Sequence, residues 1–396
     1  MKTLHLTNSW HDTSGGVATF YRALMGEANR REQVMRLVVP GEKDRVEECG
    51  KFGRIYHLEA PRSPLNAAYR TIYPTQFLRA GSKLQEILRA ESPDLVEICD
   101  KYTLNYLGAL LRRRLLPRLN LQPIVVGLSC ERMDDNFRTY LGKLPLSNAF
   151  CSLYMKWLYF PFFDHHIANS EYTAAELRSA ARGHLVERGT WIRHMGVDLV
   201  HLSPNRRSKA MRARLLENFG APEDSVLLLY VGRLAPEKNL ALLFDLLAQL
   251  SQAGSGDFRL LVVGDGIERE VWERDSAQRA PGRAHFFGHI KDRNVLADLY
   301  ANADLFIHPN PREPFGIALL EAMASGLPLI APNSGGVTSY ASAENAWLAE
   351  ATRAGFSRAL QEALSNRELR EAKAARALET ARQHEWNRVA SSFLDL

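Results

Sequence analysis

The stretch "DLFIHPNPREPFGIALLEAMASG" (Asp304 to Gly326) decides the interpretation of this chain, because it contains a strand, a loop and a helix in succession. The apolar run at its start is typical of a buried strand. Pro314 suits the first turn of a helix, and Gly326 suits the position just after its end. Glu313 then lies in the loop, beside backbone amides that no helical carbonyl satisfies. The stretch is therefore a βα unit with polar groups at the carboxyl end of its strand.

Short apolar runs bounded by turn residues recur on both sides of this stretch, and segments of helical period lie between most of them. The runs are "TLHLTN", "RLVVP", "DLVEIC", "PIVVGLS" and "HHIANS", followed by "VLLLYVG", "FRLLVVG", "AHFFG" and "LPLIAP". This alternation is typical of βαβ units and predicts an α/β fold with parallel sheets.

A polar break, "LSPNRRSKA" (Leu202 to Ala210), separates the two series. We therefore predict two doubly wound, Rossmann-like domains, residues 1–204 and residues 205–378. Residues 379–396 contain a last helix that could pack back on the first domain. Because open parallel sheets bind ligands outside the carboxyl ends of their strands, a cleft between two facing sheets is the expected site.

Composition excludes several classes of protein. The 50 basic and 45 acidic residues give a net charge of +5, which is too mild to indicate nucleic-acid binding. The four widely spaced cysteines favour reduced thiols over disulfides or a zinc site. Neither a signal-peptide pattern nor an apolar run long enough to span a bilayer is evident, so we expect a cytoplasmic protein.

Two cations follow the first strand of the second series, in "YVGRLAPEKNL" (Tyr230 to Leu240). Arg233 and Lys238 stand five residues apart, and Pro236 keeps the loop from becoming helical too early. An Arg fork and a Lys point charge at a strand's carboxyl end suit a diphosphate. Solvated surface charge is the simpler alternative for a lone pair of cations.

Glycine turns stand at two further strand ends. In "NSWHDTSGGVATFYRAL" (Asn8 to Leu24), Gly15 and Gly16 would bring amides close to an anionic ligand at the start of a helix. The pair could equally make only a tight turn. The segment "VGDGIERE" adds Gly266, but Arg269 stands where the third glycine of a dinucleotide fingerprint belongs, so that match is partial.

Glu321 stands on an otherwise apolar helix, about one turn after Ile317. A carboxylate removed from water is costly unless something pairs with it. Exposure on a narrow polar side of the helix is one explanation for Glu321, and a ligand partner is the other.

The chain resembles the retaining glycosyltransferases of the GT-B fold, specifically glycosyltransferase family 4. Glu313 and Glu321, which are separated by seven residues that begin with Pro-Phe-Gly, are similar to the E-x7-E motif of that family. Further motifs agree in order and spacing over essentially the whole chain: the Gly15-Gly16-Val17 loop, "GVDLVHLSP", "GRLAPEKN", "VGDG", "FFGHI" and "ENAWLAE". The resemblance implies transfer of a hexosyl unit from GDP-mannose or a UDP-hexose to a lipid-linked or saccharide acceptor. It also implies that residues 1–204 form the acceptor side and that residues 205–378 bind the nucleotide-sugar.

The resemblance also implies a role for each matching residue. Arg233 and Lys238 would hold the diphosphate of the donor, and Glu313 would accept hydrogen bonds from the transferred sugar. Glu321 would accept from the ribose hydroxyls, because ionised carboxylates are acceptors only. The donor-binding residues expected are Gly15, Gly16, Gly266, Ile290, Phe315, Gly316, Ile317 and Glu321.

The implied reaction retains the configuration of the anomeric carbon through a front-face displacement, in which the departing phosphate helps to deprotonate the acceptor. Arg233, Lys238 and a helix dipole would stabilise the leaving group. The sequence contains no Asp-x-Asp pair, and the family does without a bound metal, so neither metal nor cofactor is expected.

One departure from the family pattern lies after "PIVVGLS". Many relatives have a histidine there that faces the donor sugar, whereas this chain has Cys130 and Glu131. The stretches "LVEICDKYTLNYLG" and "CERMDD" are similar to a branch associated with mannosyl transfer to lipids. His11, Cys130 and Glu131 are further candidate site residues, each with a structural role as the alternative.

The acceptor side contains aromatic residues that could contact an anionic membrane. Tyr69, Tyr73 and Phe77 have four-residue spacing beside basic residues, and "YMKWLYFPFF" (Tyr154 to Phe163) is rich in aromatics. Helices packed on the sheet are the alternative explanation, since aromatic stripes of this spacing usually belong to a core. The alternatives to a glycosyltransferase are a GT-B-like nucleotide-sugar epimerase and a non-catalytic nucleotide-sugar-binding protein.

Overall fold

The structure, a computed structural model, describes residues 1–10, 15–64, 69–116, 119–140, 142, 146–181 and 189–395. It comprises two compact units. The first contains Met1–Met195 together with Trp386–Leu396, and the second contains Gly196–Glu385.

The first unit is built on an eight-stranded sheet with the order β3-β4-β2-β1-β5-β6-β7-β8. Its strands are β1 (Thr3–Thr7), β2 (Met35–Gly41), β3 (Arg45–Cys49), β4 (Gly53–Glu59), β5 (Leu95–Cys99), β6 (Ile124–Ser129), β7 (His165–Ala168) and β8 (Thr190–Ile192). All neighbouring strands pair in parallel except β3 and β4.

Helices cover this sheet. They are α1 (Gly16–Arg30), α2 (Thr75–Leu78), α3 (Lys83–Glu91), α4 (Asn105–Arg112), α5 (Met133–Tyr140), α6 (Ser147–Tyr154) and α7 (Glu171–Ala180). A π-turn (Met155–Tyr159) and a 3-10 turn (Phe160–Phe162) continue α6. Every residue of β1 is buried, as expected for a central parallel strand with helices on both faces.

The second unit is built on a six-stranded parallel sheet with the order β11-β10-β9-β12-β13-β14. The strands are β9 (Val226–Val231), β10 (Phe258–Val263), β11 (Ala284–Gly288), β12 (Leu305–Ile307), β13 (Leu329–Pro332) and β14 (Trp347–Ala349). The helices are α8 (Lys209–Phe219), α9 (Ala241–Gln252), α10 (Arg269–Arg279), α11 (Arg293–Asn302), α12 (Ile317–Ala324), α13 (Arg353–Ser365) and α14 (Arg367–Gln383). The predicted α/β class with two Rossmann-like, parallel-sheet domains is confirmed.

The limits of the two units differ from the predicted 204/205 boundary. The main-chain nitrogen of Val197 donates to the oxygen of His384 at 2.8 Å, which ties residues before the predicted boundary into the second unit. The polar break also packs there, since Arg206 forms an ion pair with Asp298 on α11 at 2.8 Å.

The last helix, α15, runs from Trp386 to Leu394, so the predicted segment 379–396 begins inside α14. Within the first unit, α15 packs on α1. The rings of Phe20 and Phe393 are 4.8 Å apart, and the Ser391 hydroxyl donates to Glu27 at 2.8 Å.

Candidate active site

The loops that follow β9 and β10 in the second unit cross at contact distance. A Cβ on Gly264 would lie 1.9 Å from the carbonyl oxygen of Gly232, and a Cβ on Gly266 would lie 2.1 Å from that of Leu234. No side chain fits at either position. Backbone packing therefore requires glycine at Gly266, which we predicted as a donor-binding residue.

Glu313 is the centre of a polar cluster at the carboxyl end of β12. Its Oε2 atom accepts hydrogen bonds from Lys238 Nζ at 2.7 Å, His308 Nε2 at 3.0 Å and Asn310 Nδ2 at 3.1 Å. The Lys238 and Glu313 side chains are 13% and 11% exposed, so this ion pair is largely shielded from water. The structure thus brings together two of the three predicted catalytic residues.

Burial alone would raise the pKa of Glu313. The charge of Lys238 and the hydrogen bond from His308 outweigh that effect and hold the pKa well below its usual range. Glu313 is therefore ionised at neutral pH, and it can accept hydrogen bonds but cannot donate one.

The loop after β9 holds Lys238 in place through its backbone. Pro236–Lys238 forms a 3-10 turn, and Asn239 ends it in the left-handed conformation at φ 55°. The Asn239 side-chain amide donates to the main-chain oxygen of Pro309 at 3.2 Å. The lysine loop and the glutamate loop are therefore tied by both a side chain and an ion pair.

Arg233, the third predicted catalytic residue, lies on the same loop as Lys238. Its Nη2 atom donates to Glu237 at 2.6 Å, and its side chain is 43% exposed. The guanidinium is thus held by a neighbour four residues along the chain while part of it remains accessible.

A second loop fixes the start of α12. Gly316 precedes the helix at φ +87°, and the Tyr340 hydroxyl contacts the main-chain oxygens of Phe315 and Gly316 at 2.9 and 2.8 Å. The Gly336 amide donates to the main-chain oxygen of Glu313 at 2.7 Å. Phe315 itself is buried. These contacts fix the backbone of the loop and of Ile317, the first residue of the helix.

Glu321 is half-buried on α12, and the Tyr300 hydroxyl donates to its Oε2 atom at 2.7 Å. Burial raises its pKa, and the Tyr300 hydrogen bond opposes that rise. Among the ion pairs that the described residues form, none involves Glu321. Burial disfavours the charge of Glu321, and only the Tyr300 hydroxyl donates to it among the described residues. The carboxylate can therefore accept further hydrogen bonds.

In the first unit, a cavity of about 60 Å³ lies at the carboxyl ends of β1, β5 and β6. Its lining comprises Ser9, Val17, Cys99, Asp100, Lys101, Leu128, Cys130 and Glu131. The predicted residues Cys130 and Glu131 are therefore brought together beside the start of α1.

A buried lysine organises this cavity. Lys101 Nζ donates to Glu176 Oε2 at 2.5 Å and also to the main-chain oxygen of Glu131. Burial raises the pKa of Glu131, and the Lys101 charge opposes the rise. Glu131 is thus an acid whose proton affinity exceeds that of an ordinary glutamate.

The remaining predicted residues lie at strand ends of their own unit. Gly15 precedes α1 and Gly16 begins it, while Ile290 is half-buried two residues after β11. His11 lies outside the described residues.

Several residues of the Glu313 cluster and its supporting loop were not predicted from the sequence. His308 and Asn310 were passed over although polar residues directly after a buried strand are a signal for a site, and His308 stacks on Tyr230 with ring centres 6.1 Å apart. The pair Gly335-Gly336 in "NSGGV" was also missed, although a Cβ on Gly336 would lie 1.8 Å from the oxygen of Pro314.

Models of two related families match the two units. The model described as Glycosyltransferase Family 4 matches residues 14–202, and the model described as Glycosyl transferases group 1 matches residues 211–380.

Individual relatives agree with these matches. A GDP-mannose-dependent alpha-(1-6)-phosphatidylinositol dimannoside mannosyltransferase of Mycobacterium tuberculosis (strain ATCC 25177 / H37Ra) is 28% identical, over 100% of this chain and 95% of that protein. A GDP-mannose-dependent alpha-mannosyltransferase of Mycobacterium tuberculosis (strain CDC 1551 / Oshkosh) is 31% identical, over 75% of this chain and 68% of that protein. Among solved structures, a sucrose-phosphate synthase from Thermosynechococcus elongatus superposes with a TM-score of 0.76 at 20% identity, over 100% of this chain and 98% of that one.

Proposed function

This chain belongs to glycosyltransferase family 4, and we propose that it transfers a mannosyl unit from GDP-mannose to a lipid-linked or saccharide acceptor with retention of configuration. It is a nucleotide-sugar glycosyltransferase. The proposal of GDP-mannose follows the names of two relatives, and the first acceptor to test is a mannosylated phosphatidylinositol, after the first of them.

The observation that carries the proposal is the ionised Glu313 with Lys238 beside it in front of α12. The carboxylate can accept hydrogen bonds from sugar hydroxyls, and the ammonium has three protons, so it can keep Glu313 and still donate to a phosphate oxygen. The amides at the start of α12 add donors that favour an anion in the same place.

Glu321 is proposed to bind the ribose of the nucleotide. Its carboxylate is one helical turn further along α12, and burial makes its charge unfavourable without more donors than Tyr300 supplies. Two ribose hydroxyls would provide those donors, and the same contact would recognise the nucleotide and not a free sugar phosphate.

In the proposed reaction, the bond between the anomeric carbon and the diphosphate oxygen breaks while the acceptor oxygen bonds to the same face of that carbon. The acceptor proton passes to the departing phosphate. Arg233, Lys238 and the helix amides stabilise the growing negative charge of the diphosphate, which is the role that a metal ion fills in other enzymes. We therefore propose that transfer is independent of added metal.

The first unit is proposed to receive the acceptor. Cys130 and Glu131 line a cavity at its strand ends, and the raised pKa of Glu131 suits a group that exchanges hydrogen bonds with acceptor hydroxyls. For a lipid-linked acceptor, we also propose peripheral contact of this unit with an anionic membrane.

The test is a transfer assay with GDP-mannose or UDP-glucose, a chelator, and mannosylated phosphatidylinositol as acceptor. With GDP-mannose, we expect wild type to form one GDP for each mannosylated lipid, and the surface control Lys209→Met to form as much of both products as wild type. Glu313→Gln should form neither product. Lys209 is exposed at the start of α8, and none of the described residues that contact Glu313 belongs to this helix. Transfer by Glu313→Gln at the wild-type rate would refute the assignment.

A further inference from the structure

One face of α6 and of the π-turn that follows it exposes large apolar side chains. Leu146, Phe150, Leu153 and Trp157, which we call the apolar ridge, are 82%, 51%, 58% and 52% exposed. Their spacing of four, three and four residues places them on one side of a helix. A single exposed apolar residue is ordinary, but an aligned set marks an interaction surface.

The opposite side of the same helix fixes the direction of the ridge. Cys151, Met155 and Tyr159 are buried in the core of the first unit. Rings also pack along the outer side, with Phe137 and Phe150 5.6 Å apart and Phe150 and Tyr154 6.2 Å apart. The ridge is therefore held outward by packing.

This arrangement changes which aromatic residues could contact a membrane. Phe77, Tyr159, Phe160, Phe162 and Phe163 are buried, so for them the packing explanation is correct. The exposed aromatic residue of the stretch Tyr154 to Phe163 is Trp157, which belongs to the ridge.

An open apolar groove of about 350 Å³ adjoins the ridge on the next helix of the layer. It is lined by Pro74, Phe77, Leu78, Tyr106, Ala109, Leu110, Arg113 and Leu115. The hydroxyls of Tyr106 and Tyr154 are 3.3 Å apart, which links the groove to α6. Leu78 and Leu115 are half or more exposed at its edge.

The charge of this region is strongly positive. Residues 102–163 contain eight Lys or Arg and three Asp or Glu, against 50 and 45 in the whole chain. All three acidic residues are engaged: Asp134 binds Arg132, Asp135 accepts from Tyr172, and Glu131 accepts from Asn136.

Four cations of the same region, in contrast, have no carboxylate at ion-pair distance among the described residues. They are Arg113, Arg114, Arg138 and Lys156. The region therefore combines an apolar ridge with cations that no carboxylate of the described residues neutralises. Such a surface is complementary to one that has an apolar interior and negatively charged groups at its outer edge.

We infer that the ridge, the groove edge and these cations form a docking face for a bilayer that contains anionic lipids. The ridge enters the boundary between headgroups and acyl chains, and the cations lie at the lipid phosphates. Among the residues that the structure describes, none of the helices is long and apolar enough to cross a bilayer. The role of this face rests on the proposed function, because docking would bring the first unit to lipid-linked acceptors. Binding to vesicles can nevertheless be measured without catalysis.

The test is co-sedimentation with vesicles of phosphatidylglycerol and phosphatidylcholine, compared with phosphatidylcholine alone, at low and high ionic strength. We expect binding to the anionic vesicles that weakens as salt is added. Leu153→Glu and Phe150→Glu should each weaken partitioning about tenfold, because each removes an apolar side chain and adds a like charge to the membrane's. Lys156→Gln should weaken it about fivefold, the share of one cation near the surface.

The matched control is Leu369→Glu, which adds the same charge at an exposed apolar residue of α14 and should bind as wild type does. Circular dichroism and the thermal shift with GDP show that each variant is folded and binds nucleotide. Equal binding by the ridge variants and the control would overturn the inference, as would the absence of wild-type binding to anionic vesicles. A dimer in light scattering that Leu153→Glu dissociates, without vesicle binding, would overturn it by showing that a second copy occupies the face.

The two proposals fail separately. Transfer to a water-soluble mannoside without vesicle binding would leave the glycosyltransferase site standing and remove the docking face. Vesicle binding without transfer would do the reverse.

Discussion

Replacement of Lys238 by methionine tests whether the ion pair with Glu313 supports both the fold of the second unit and the reaction. In the wild type, Lys238, His308 and Asn310 donate hydrogen bonds to one carboxylate oxygen of Glu313. Lys238 is the lysine of this set and supplies its ammonium charge. Lys238→Met leaves Glu313 buried with His308 and Asn310.

The expected loss of stability follows from those contacts. A hydrogen bond to a charged group contributes about 1.5–3 kcal/mol, and removing one member of a buried pair also leaves the other incompletely solvated. Because two donors remain, we expect Lys238→Met to lower the free energy of unfolding of the second unit by about 2–4 kcal/mol.

Glu313→Gln removes the stranded charge, so the double variant Lys238→Met/Glu313→Gln should regain about 1–3 kcal/mol relative to the sum of the single changes. Transfer activity should not return. Loss of a group that stabilises the departing diphosphate is expected to lower kcat by about 100- to 1000-fold, with or without Glu313.

The pH dependence has a definite sign. Because the pKa of Glu313 is lowered in the folded protein, its stabilisation is present above the ordinary value of 4.5 and is lost as the pH falls through the folded value. The difference between wild type and Lys238→Met should therefore be full at pH 7 and shrink on acidification below about pH 4.5.

Urea unfolding followed by tryptophan fluorescence measures these differences, since Trp272 and Trp347 are buried in the second unit. Additive effects in the double variant, or equal stability of Lys238→Met and wild type, would refute the structural part of the reasoning. Recovery of activity in the double variant would refute the catalytic part.

Three further predictions concern other positions. Glu321→Gln should stabilise the ligand-free protein by about 1 kcal/mol at pH 7 and reduce the thermal shift with GDP, because burial disfavours the charge that the nucleotide would use. The stability gain should vanish at acid pH, where the raised pKa already leaves Glu321 neutral. Gly336→Ala should prevent stable folding in a thermal melt, since its Cβ would lie 1.8 Å from a main-chain oxygen, whereas Gly26→Ala, which meets open space within α1, should be tolerated. Lys101→Met should lower the free energy of unfolding, measured by urea denaturation, by about 3–5 kcal/mol, because it leaves the buried Glu176 without its cation.

Much of the fold could be predicted because buried parallel strands are continuous apolar runs. "VLLLYVG" and "FRLLVVG" correspond to β9 and β10 within a residue of their ends. The strands that were missed are different in kind. β3, with the sequence RVEEC, is an exposed edge strand that pairs with β4, and β8 and β14 have three residues each. β4, with the sequence GRIYHLE, was also missed, because buried and partly exposed residues alternate along most of it and it contains no continuous apolar run. The pairing of β8 and β14 depends on β7 and β13, which are separated from them in sequence, whereas β3 and β4 are consecutive antiparallel strands.

The site was predictable where a residue type and its place in a loop were enough. Glu313, Lys238 and the start of α12 could be found in this way, and the structure places the first two 2.7 Å apart. The partners of these residues could not be predicted, because the Tyr300 hydroxyl reaches Glu321 across 21 residues and the Gly336 amide reaches Glu313 across 23. The exposed ridge was also hidden, since the aromatic residues of its stretch divide between core and surface only after the helix direction is known.

We propose that the Glu313 cluster supports metal-independent, retaining transfer from GDP-mannose. The most direct measurement is the NMR determination of the anomeric configuration of the product formed from GDP-mannose and a mannosylated phosphatidylinositol in the presence of a chelator. We expect an alpha-linked mannosyl product with one GDP released per transfer. A beta-linked product, or transfer that requires a divalent cation, would contradict it.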